Sequence, residues 1–267
     1  MIGTQNIANY YDLHSLEEDL RLSSLSMEYL MTMRIIELNA PNAKTVCDLG
    51  GGTGVYAIPM AESGKNVLLL DISKKEIEIA KQKAIQAKVQ LKTEQCDLFD
   101  DTLNIVQKFD LVLCLGPLYH CRDIKDVEIV LDKISFIMHY DSIAIIAFIS
   151  KYSKYNNASR STILHEDEIK SVCDYYTNFK QEHSVFSFQD KLGLPVSFIE
   201  PKLIKDFLME KGFAVLDLVV CDIFGHIGSE VSLADKNNFL EVAHEIGRLD
   251  KLNDGNHVLM VIKKHIN

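Results

Sequence analysis

Four glycines crowd into the five positions Gly50-Gly51-Gly52-Thr53-Gly54, and an acidic residue, Asp48, stands two places before the first of them. The apolar run that leads in, through Val46 and Cys47, predicts a buried strand ending at Asp48. The periodic segment from Tyr56 to Ser63 predicts a helix after it. The backbone has to turn sharply between the two, and the helix begins with amide N–H groups that no carbonyl inside it can satisfy. Glycines at 50, 52 and 54 leave the bend free of side chains, so a ligand can lie directly on the main chain. A second apolar run, Asn66 to Leu70, ends in Asp71. That is roughly 20 residues past the first glycine, where a nucleotide-binding βαβ unit places the carboxylate that grips a ribose.

The alternation continues along the chain. Strand 45–48 and helix 55–63 are followed by strand 66–71 and a helix to about 87, with Ser73 as N-cap and Glu76 completing a capping box. Strands over 89–94, 109–115 and 142–149 follow, with a helix over 123–138 between the last two. They read as continuous apolar runs, expected where helices cover both sheet faces. Alternating β and α units imply an α/β fold with a parallel, doubly wound sheet. Residues 1–40 carry leucines and methionines at helical spacing from Leu16 to Leu38, with Ser15 and Glu18 as a further capping box. They predict one or two helices lying over the sheet, an N-terminal helical lid. Residues 151–199 break the pattern with a polar, aromatic stretch: Tyr152, Tyr155, Tyr175, Tyr176, Phe179, His183, Phe186 and Phe188. Helical pieces are expected near 166–178. The stretch is too long for a bare connection and emerges at the strands' carboxyl edge, where open α/β sheets bind ligands. It is either a substrate cap or an insertion with its own small core. A helix from Pro201 to Lys211, a strand over 213–221, a loop over 222–228, a helix over 232–249 and a strand over 257–264, entered by the turn Asp254-Gly255-Asn256, close the sheet domain, which spans 41–150 and 200–267.

Dehydrogenase loops read G-x-G-x-x-G and cradle a pyrophosphate. Asp48-x-Gly50-x-Gly52-x-Gly54 instead resembles the first motif of the Rossmann-like (class I) S-adenosylmethionine-dependent methyltransferases. Gly116-Pro117-Leu118-Tyr119-His120 resembles the Gly-Pro-Leu-Tyr-His of a bacterial group in that family, most of it acting on small molecules. It departs from the Asn/Asp-Pro-Pro-Tyr/Phe of enzymes that methylate nucleic-acid bases or glutamine. The resemblance covers about 40–150 and 200–264. It implies a mostly parallel seven-stranded sheet with an antiparallel last strand slotted between the fifth and sixth. The implied cofactor is S-adenosyl-L-methionine, and the implied reaction is methyl transfer to nitrogen or oxygen of a small molecule or natural-product intermediate.

The same resemblance implies a site. Amides around Gly50, Gly51, Gly52 and Gly54 face the methionine portion, with Asp48 near its amino group. Asp71 takes the ribose hydroxyls and Ile72 packs on the adenine. Asp97, flanked by Cys96 and Leu98, either accepts from the adenine amino group or caps its own loop. Leu115 adds a cofactor contact. Tyr119 and His120 orient the acceptor, and His120 is either a general base or a histidine that holds the loop. Tyr10-Tyr11-Asp12, then Glu17-Glu18-Asp19 and Arg21, resemble the segment that folds over the cofactor in this family. Arg21 is either a cation for the methionine carboxylate or a solvated arginine paired with Glu17 or Glu18.

A net charge of −10 without any basic stretch argues against a nucleic-acid partner and leaves a small molecule or short peptide. Six cysteines without a C-x-x-C pair, and no visible signal peptide, point to a reducing cytoplasm. No apolar stretch reaches the ~18 residues of a membrane span. The histidines show no ligand spacing, so no metal is expected. Three rival readings remain. One is N-methylation of the amino terminus of a modified peptide natural product, which Glu166-Asp167-Glu168 and Glu182 would suit. Another is an NAD-dependent oxidoreductase, against which Asp48 and the glycine loop argue. The third is a non-catalytic S-adenosylmethionine-binding subunit. Acceptor and oligomeric state are open at this level.

Overall fold

The computed structural model describes residues 2–21, 26–100, 105–151, 153, 185–189, 194–221, 237, 239–241, 244 and 257–265. Two helices come first, α1 (Ile2–Arg21) and α2 (Met27–Asn39). Then follow β1 (Thr45–Leu49), α3 (Ala57–Glu62), β2 (Asn66–Asp71), α4 (Lys74–Ala87), β3 (Lys92–Gln95) and β4 (Phe109–Cys114). A 3-10 turn (Pro117–His120) leads to α5 (Ile124–Ile137) and β5 (Met138–Ser150). The chain continues through β6 (Val185–Gln189), β7 (Pro195–Ile199), α6 (Pro201–Glu210), β8 (Phe213–Val220) and β9 (His257–Lys264).

β1 lies at the centre, parallel to β2 on one side and β4 on the other. The order β3-β2-β1-β4-β5 is parallel throughout. Beyond β5 the sheet forks. Ile143 to Ile149 pair antiparallel with β9, which itself pairs antiparallel with β8. Ile149 and Ser150, at the end of β5, pair in parallel with β7, the inner strand of a β6–β7 hairpin. The antiparallel last strand is therefore slotted in as expected. Nine strands are present among the described residues instead of seven. The two extra strands come from the end of the stretch expected to be insertion alone. The alternation in Val185-Phe186-Ser187-Phe188 has the period of a strand, and the aromatic composition masked it.

Strand residues alternate between two cores. Cys47, Leu49, Val112 and Cys114 face α5 and α6, packing on Val130, Ile134, Ile204 and Leu208. Val46, Leu111, Leu113 and Ile145 face α2, α3 and α4, packing on Ile35, Met60 and Ile77. Helix starts follow their caps. Ser73 Oγ accepts from Glu76 N at 3.0 Å, and Asp123 accepts from Lys125 N and Asp126 N at 2.9 and 3.1 Å. Ser15 does not cap a helix. α1 runs through it unbroken, Ser15 is buried, and the preceding turn already satisfies the backbone there. Ser26 caps α2, accepting from Tyr29 N at 3.2 Å. β3 begins at Lys92 and β5 at Met138, against 89 and 142 read from the sequence. The expected helical pieces near 166–178, the loop 222–228, the turn 254–256 and most of the helix 232–249 lie outside the described residues. Residues 237, 239–241 and 244 are helical.

Candidate cofactor and acceptor site

The carboxyl ends of β1, β2 and β4 open into a crevice of about 1190 Å³, counting its open mouth. The glycine loop forms its floor. Gly50 sits at φ +68°, and a Cβ there would come within 2.8 Å of the Pro117 ring. Glycine at 50 thus lets the loop after β4 close onto the loop after β1. A Cβ at Gly51 would strike the Asp48 carboxyl and Leu69, each at 2.8 Å. Gly54 does not reach the crevice. It faces Ile58 and Ala80 and lets α3 and α4 pack together, so its place in the motif is structural.

Asp48 is 1% exposed, and its Oδ2 has no hydrogen-bond partner among the described residues. Burial, then the nearby Asp71, raises its pKa to about 7. Asp71 is better served. Its Oδ2 accepts from Gly52 N at 2.9 Å and its Oδ1 from Ser73 N at 2.8 Å. Burial raises its pKa, and these N–H bonds oppose the rise.

Helix α1 closes over this floor, with Ile7, Tyr11, Glu18 and Asp19 lining the crevice. Two of its carboxylates tie it down. Asp12 accepts from Ser73 Oγ at 2.6 Å and Lys75 N at 3.1 Å, at the positive end of α4. Asp19 accepts from Thr53 Oγ1 at 2.6 Å and pairs with Lys83. Arg21 ends α1, and its side chain lies outside the described residues.

The far wall is the turn after β4. His120 Nδ1 lies 2.8 Å from the carbonyl oxygen of Pro195, which can only accept. Nδ1 therefore carries the proton, and Nε2 of the neutral ring is an acceptor. Tyr11 Oη lies 2.8 Å from that Nε2 and donates to it. Helix α1, the turn and β7 thus meet on one imidazole. β7 also holds the turn through Ser197 Oγ, which donates to the Cys121 carbonyl. Tyr119 stacks on His257 at 5.4 Å between ring centres, and His257 Nδ1 lies 3.5 Å from Glu28 Oε2. Glu28, Thr32, Tyr56, Ala147, Cys221 and Leu259 complete this end of the crevice.

Gly50, Gly51, Gly52, Asp48, Asp71, Ile72, Cys96, Asp97, Leu98, Leu115, Tyr119 and His120 all line the one crevice. Asp97 Oδ1 accepts from Phe99 N at 2.8 Å, so it caps its loop while facing the cavity. Burial pushes the Cys96 thiol up to about 12, which leaves it unreactive. Sequence reasoning missed Tyr11 as a partner of His120, because nothing local links positions 109 residues apart. It also misread Glu76, which is 4% exposed and turned into the crevice. The available signal was a carboxylate on the same helix face as Ile77, Ala80 and Ala84.

The comparisons with known proteins agree with this geometry. Residues 41–212 match the family model described as a methyltransferase domain, and the chain belongs to that family. The magnesium protoporphyrin IX methyltransferase of Arabidopsis thaliana is 32% identical over 111 residues, 41% of this chain and 35% of that protein. The ubiquinone biosynthesis O-methyltransferase of Haemophilus ducreyi is 33% identical over 106 residues, 38% of this chain and 43% of the relative. The matched region thus spans less than half the length of either relative. Among solved structures, the 1,6-didemethyltoxoflavin-N1-methyltransferase of Burkholderia thailandensis, bound to its acceptor and S-adenosylhomocysteine, superposes with a TM-score of 0.63. That match covers 98% of this chain and 88% of that one at 11% identity, a likeness of fold.

The class is that of the Rossmann-like methyltransferases, with S-adenosylmethionine as cofactor. The residues present fit that group. Its methionine end carries a cationic amino group, and Asp48 offers a buried carboxylate oxygen with no hydrogen-bond partner among the described residues. The loop amides do not face the group as expected, because Gly50 N and Gly51 N donate to the Leu70 carbonyl, Gly52 N to Asp71 and Gly54 N to the Gly51 carbonyl; the group would lie against the side-chain-free backbone instead. Among the described residues, no helix is long and apolar enough to cross a membrane.

Proposed function

We propose that this chain methylates a hydroxyl group on a small-molecule acceptor. S-adenosylmethionine, when bound, supplies an activated methyl group. Asp48 would pair with its amino group, Asp71 with its ribose, and Ile72, Asp97 and Leu98 with its adenine. Tyr119 and His120 would face the acceptor.

The single observation that carries the hydroxyl reading is the orientation of His120. The Pro195 carbonyl fixes the proton on Nδ1 and turns the Nε2 lone pair into the crevice, where it holds the hydroxyl of Tyr11. An acceptor hydroxyl that exchanges with Tyr11 meets the same lone pair. His120 then takes the proton as the acceptor oxygen attacks, and the closed lid excludes water that would compete. Alignment alone can supply several kcal/mol of the barrier reduction. The test is a panel of phenols, catechols and amines incubated with S-adenosylmethionine, read by product mass. Hydroxyl methylation that His120→Ala slows about 100-fold, with cofactor binding intact, supports this reading. Turnover of amines only, indifferent to His120, contradicts it.

A second reading, an amine acceptor, rests on Glu28. It places a carboxylate at the end of the crevice lined by Tyr56 and Tyr119, suited to a cationic amine. Glu28→Gln would then raise the acceptor's KM and leave hydroxyl substrates unchanged.

A further inference from the structure

Glu76 occupies the position from which a capping-box carboxylate reaches back to the backbone N–H of its N-cap. It does not reach back, because Asp71 Oδ1 already accepts from Ser73 N. The Glu76 side chain turns into the crevice instead. It is 4% exposed, and its carboxyl has no hydrogen-bond partner among the described residues. A Cβ built on Gly52 would lie 3.3 Å from Glu76 Oε2, so the carboxyl borders the glycine loop on the side of Asp71.

The charge state follows from the neighbours. Two adjacent buried carboxyls do not both ionise readily. Asp71 accepts two strong backbone N–H bonds and keeps the charge. Glu76 accepts none and keeps the proton. Burial first, then Asp71 on β2 and Glu18, Asp12 and Asp19 on α1, raise its pKa to about 9. Lys83, on the same helix, is committed to Asp19. A protonated carboxyl is a donor, and on the crevice wall it faces whatever acceptor a ligand brings.

We infer that Glu76 is a cofactor-positioning residue: its carboxylic acid donates a hydrogen bond to a cofactor oxygen, a ribose hydroxyl or the methionine carboxylate, beside Asp71. The role rests on the S-adenosylmethionine site described above. Once ionised, Glu76 offers no donor and adds a charge to the carboxylates of α1. Cofactor affinity is then highest below the Glu76 pKa and falls as the pH rises through it.

The test is calorimetric titration of the full chain with S-adenosylhomocysteine and with 5′-methylthioadenosine, from pH 7.5 to 10. Methylthioadenosine keeps the ribose and lacks the amino acid, so it has no ammonium group to titrate. Wild type should lose affinity by roughly tenfold per pH unit above about 9. Glu76→Gln, a permanent donor, should bind both ligands at pH 7.5, hold its affinity for methylthioadenosine to pH 10, and keep with S-adenosylhomocysteine only the fall that belongs to the ligand's ammonium. Glu76→Ala should bind about tenfold more weakly at pH 7.5 and show no alkaline loss. If that variant fails to fold, wild type against Glu76→Gln decides the matter. An alkaline loss that Glu76→Gln removes with both ligands assigns the bond to the ribose, and one that it removes with S-adenosylhomocysteine alone assigns it to the methionine carboxylate. A methylthioadenosine loss that survives Glu76→Gln overturns the role, and so does an S-adenosylhomocysteine loss of which Glu76→Gln removes no part. Wild-type affinity that is flat, or that tightens with pH, overturns it as well. Failure of S-adenosylhomocysteine to bind at every pH removes the cofactor site itself, and the role with it.

Discussion

One crevice has two ends made of different material. The Asp48–Asp71 end is drawn mainly from consecutive turns between residues 48 and 98, with carboxylates of β1, β2 and α4 at its floor and α1 closing over it. The His120 end is assembled from α1, α2, the turn after β4, β7 and β9, segments far apart in sequence. At the first end, geometry is fixed by strand register and by glycines whose missing side chains make room. At the second, it is fixed by side chains that orient one another. The first can serve one ligand throughout a family. The second, the proposed acceptor end, can change its ligand by exchanging a few residues.

The largest effect should come from filling the glycine cradle. In Gly51→Ala the new methyl collides with the Asp48 carboxyl and Leu69, both 2.8 Å away. S-adenosylhomocysteine affinity should fall by more than about 100-fold. A melting curve should distinguish this from unfolding, and unchanged affinity would break the contrast between the two ends. Asp71→Ala comes next. It removes the acceptor of Gly52 N and Ser73 N together with the proposed ribose contact, and about 100-fold weaker binding by calorimetry is expected. His120→Ala should slow acceptor turnover by about 100-fold while cofactor affinity stays within roughly threefold. A change in cofactor affinity as large as the change in turnover would merge the two ends into one.

The pH dependence sharpens the same division. Asp48 is raised to about 7, so near pH 7 about half of the free protein carries it protonated. Only the ionised form pairs with a cationic amino group. Affinity for S-adenosylhomocysteine should therefore fall by up to tenfold per unit as pH drops below 7, and Asp48→Asn should abolish that limb. For folding the sign is opposite. The raised pKa values of Asp48 and Glu76 favour the ligand-free fold at low pH, and that contribution fades as pH rises through about 7 and about 9. Thermal melts across that range check it.

The smallest effect belongs to Asp110, at the start of β4 and so at the opposite edge of the sheet. It accepts from Lys44 N, Thr45 N, Thr45 Oγ1 and His139 Nε2. Despite partial burial, these bonds, with His139 the strongest, hold its pKa down to about 2. Its stabilising contribution is present above the ordinary carboxylate range and is lost as pH falls through about 2. Asp110→Asn should leave ligand binding unchanged within twofold and lower stability by about 1 kcal/mol or less, read from denaturant midpoints.

The asymmetry between the ends also explains what was legible in the sequence. Glycine spacing, an acid before it and an acid at the next strand's end are local patterns, so the Asp48–Asp71 end could be read residue by residue. The central sheet followed from its apolar runs. The β6–β7 hairpin did not, because Phe186 and Phe188 looked like an aromatic insertion and not like alternate residues of a strand. The contact of Tyr11 with His120 joins segments that only folding brings together. Glu76 matched a capping motif whose backbone half is real, since Ser73 does accept its N–H. The side-chain half fails because Asp71 reaches Ser73 N first.

The most direct measurement is a crystal structure of the full chain with S-adenosylhomocysteine. The ribose should lie on Asp71, the amino group on Asp48 and the amino-acid end over Gly50–Gly52, with the sulfur directed toward Tyr119 and His120. The ligand seated elsewhere, or the glycine loop closed around a diphosphate in its place, would contradict this placement.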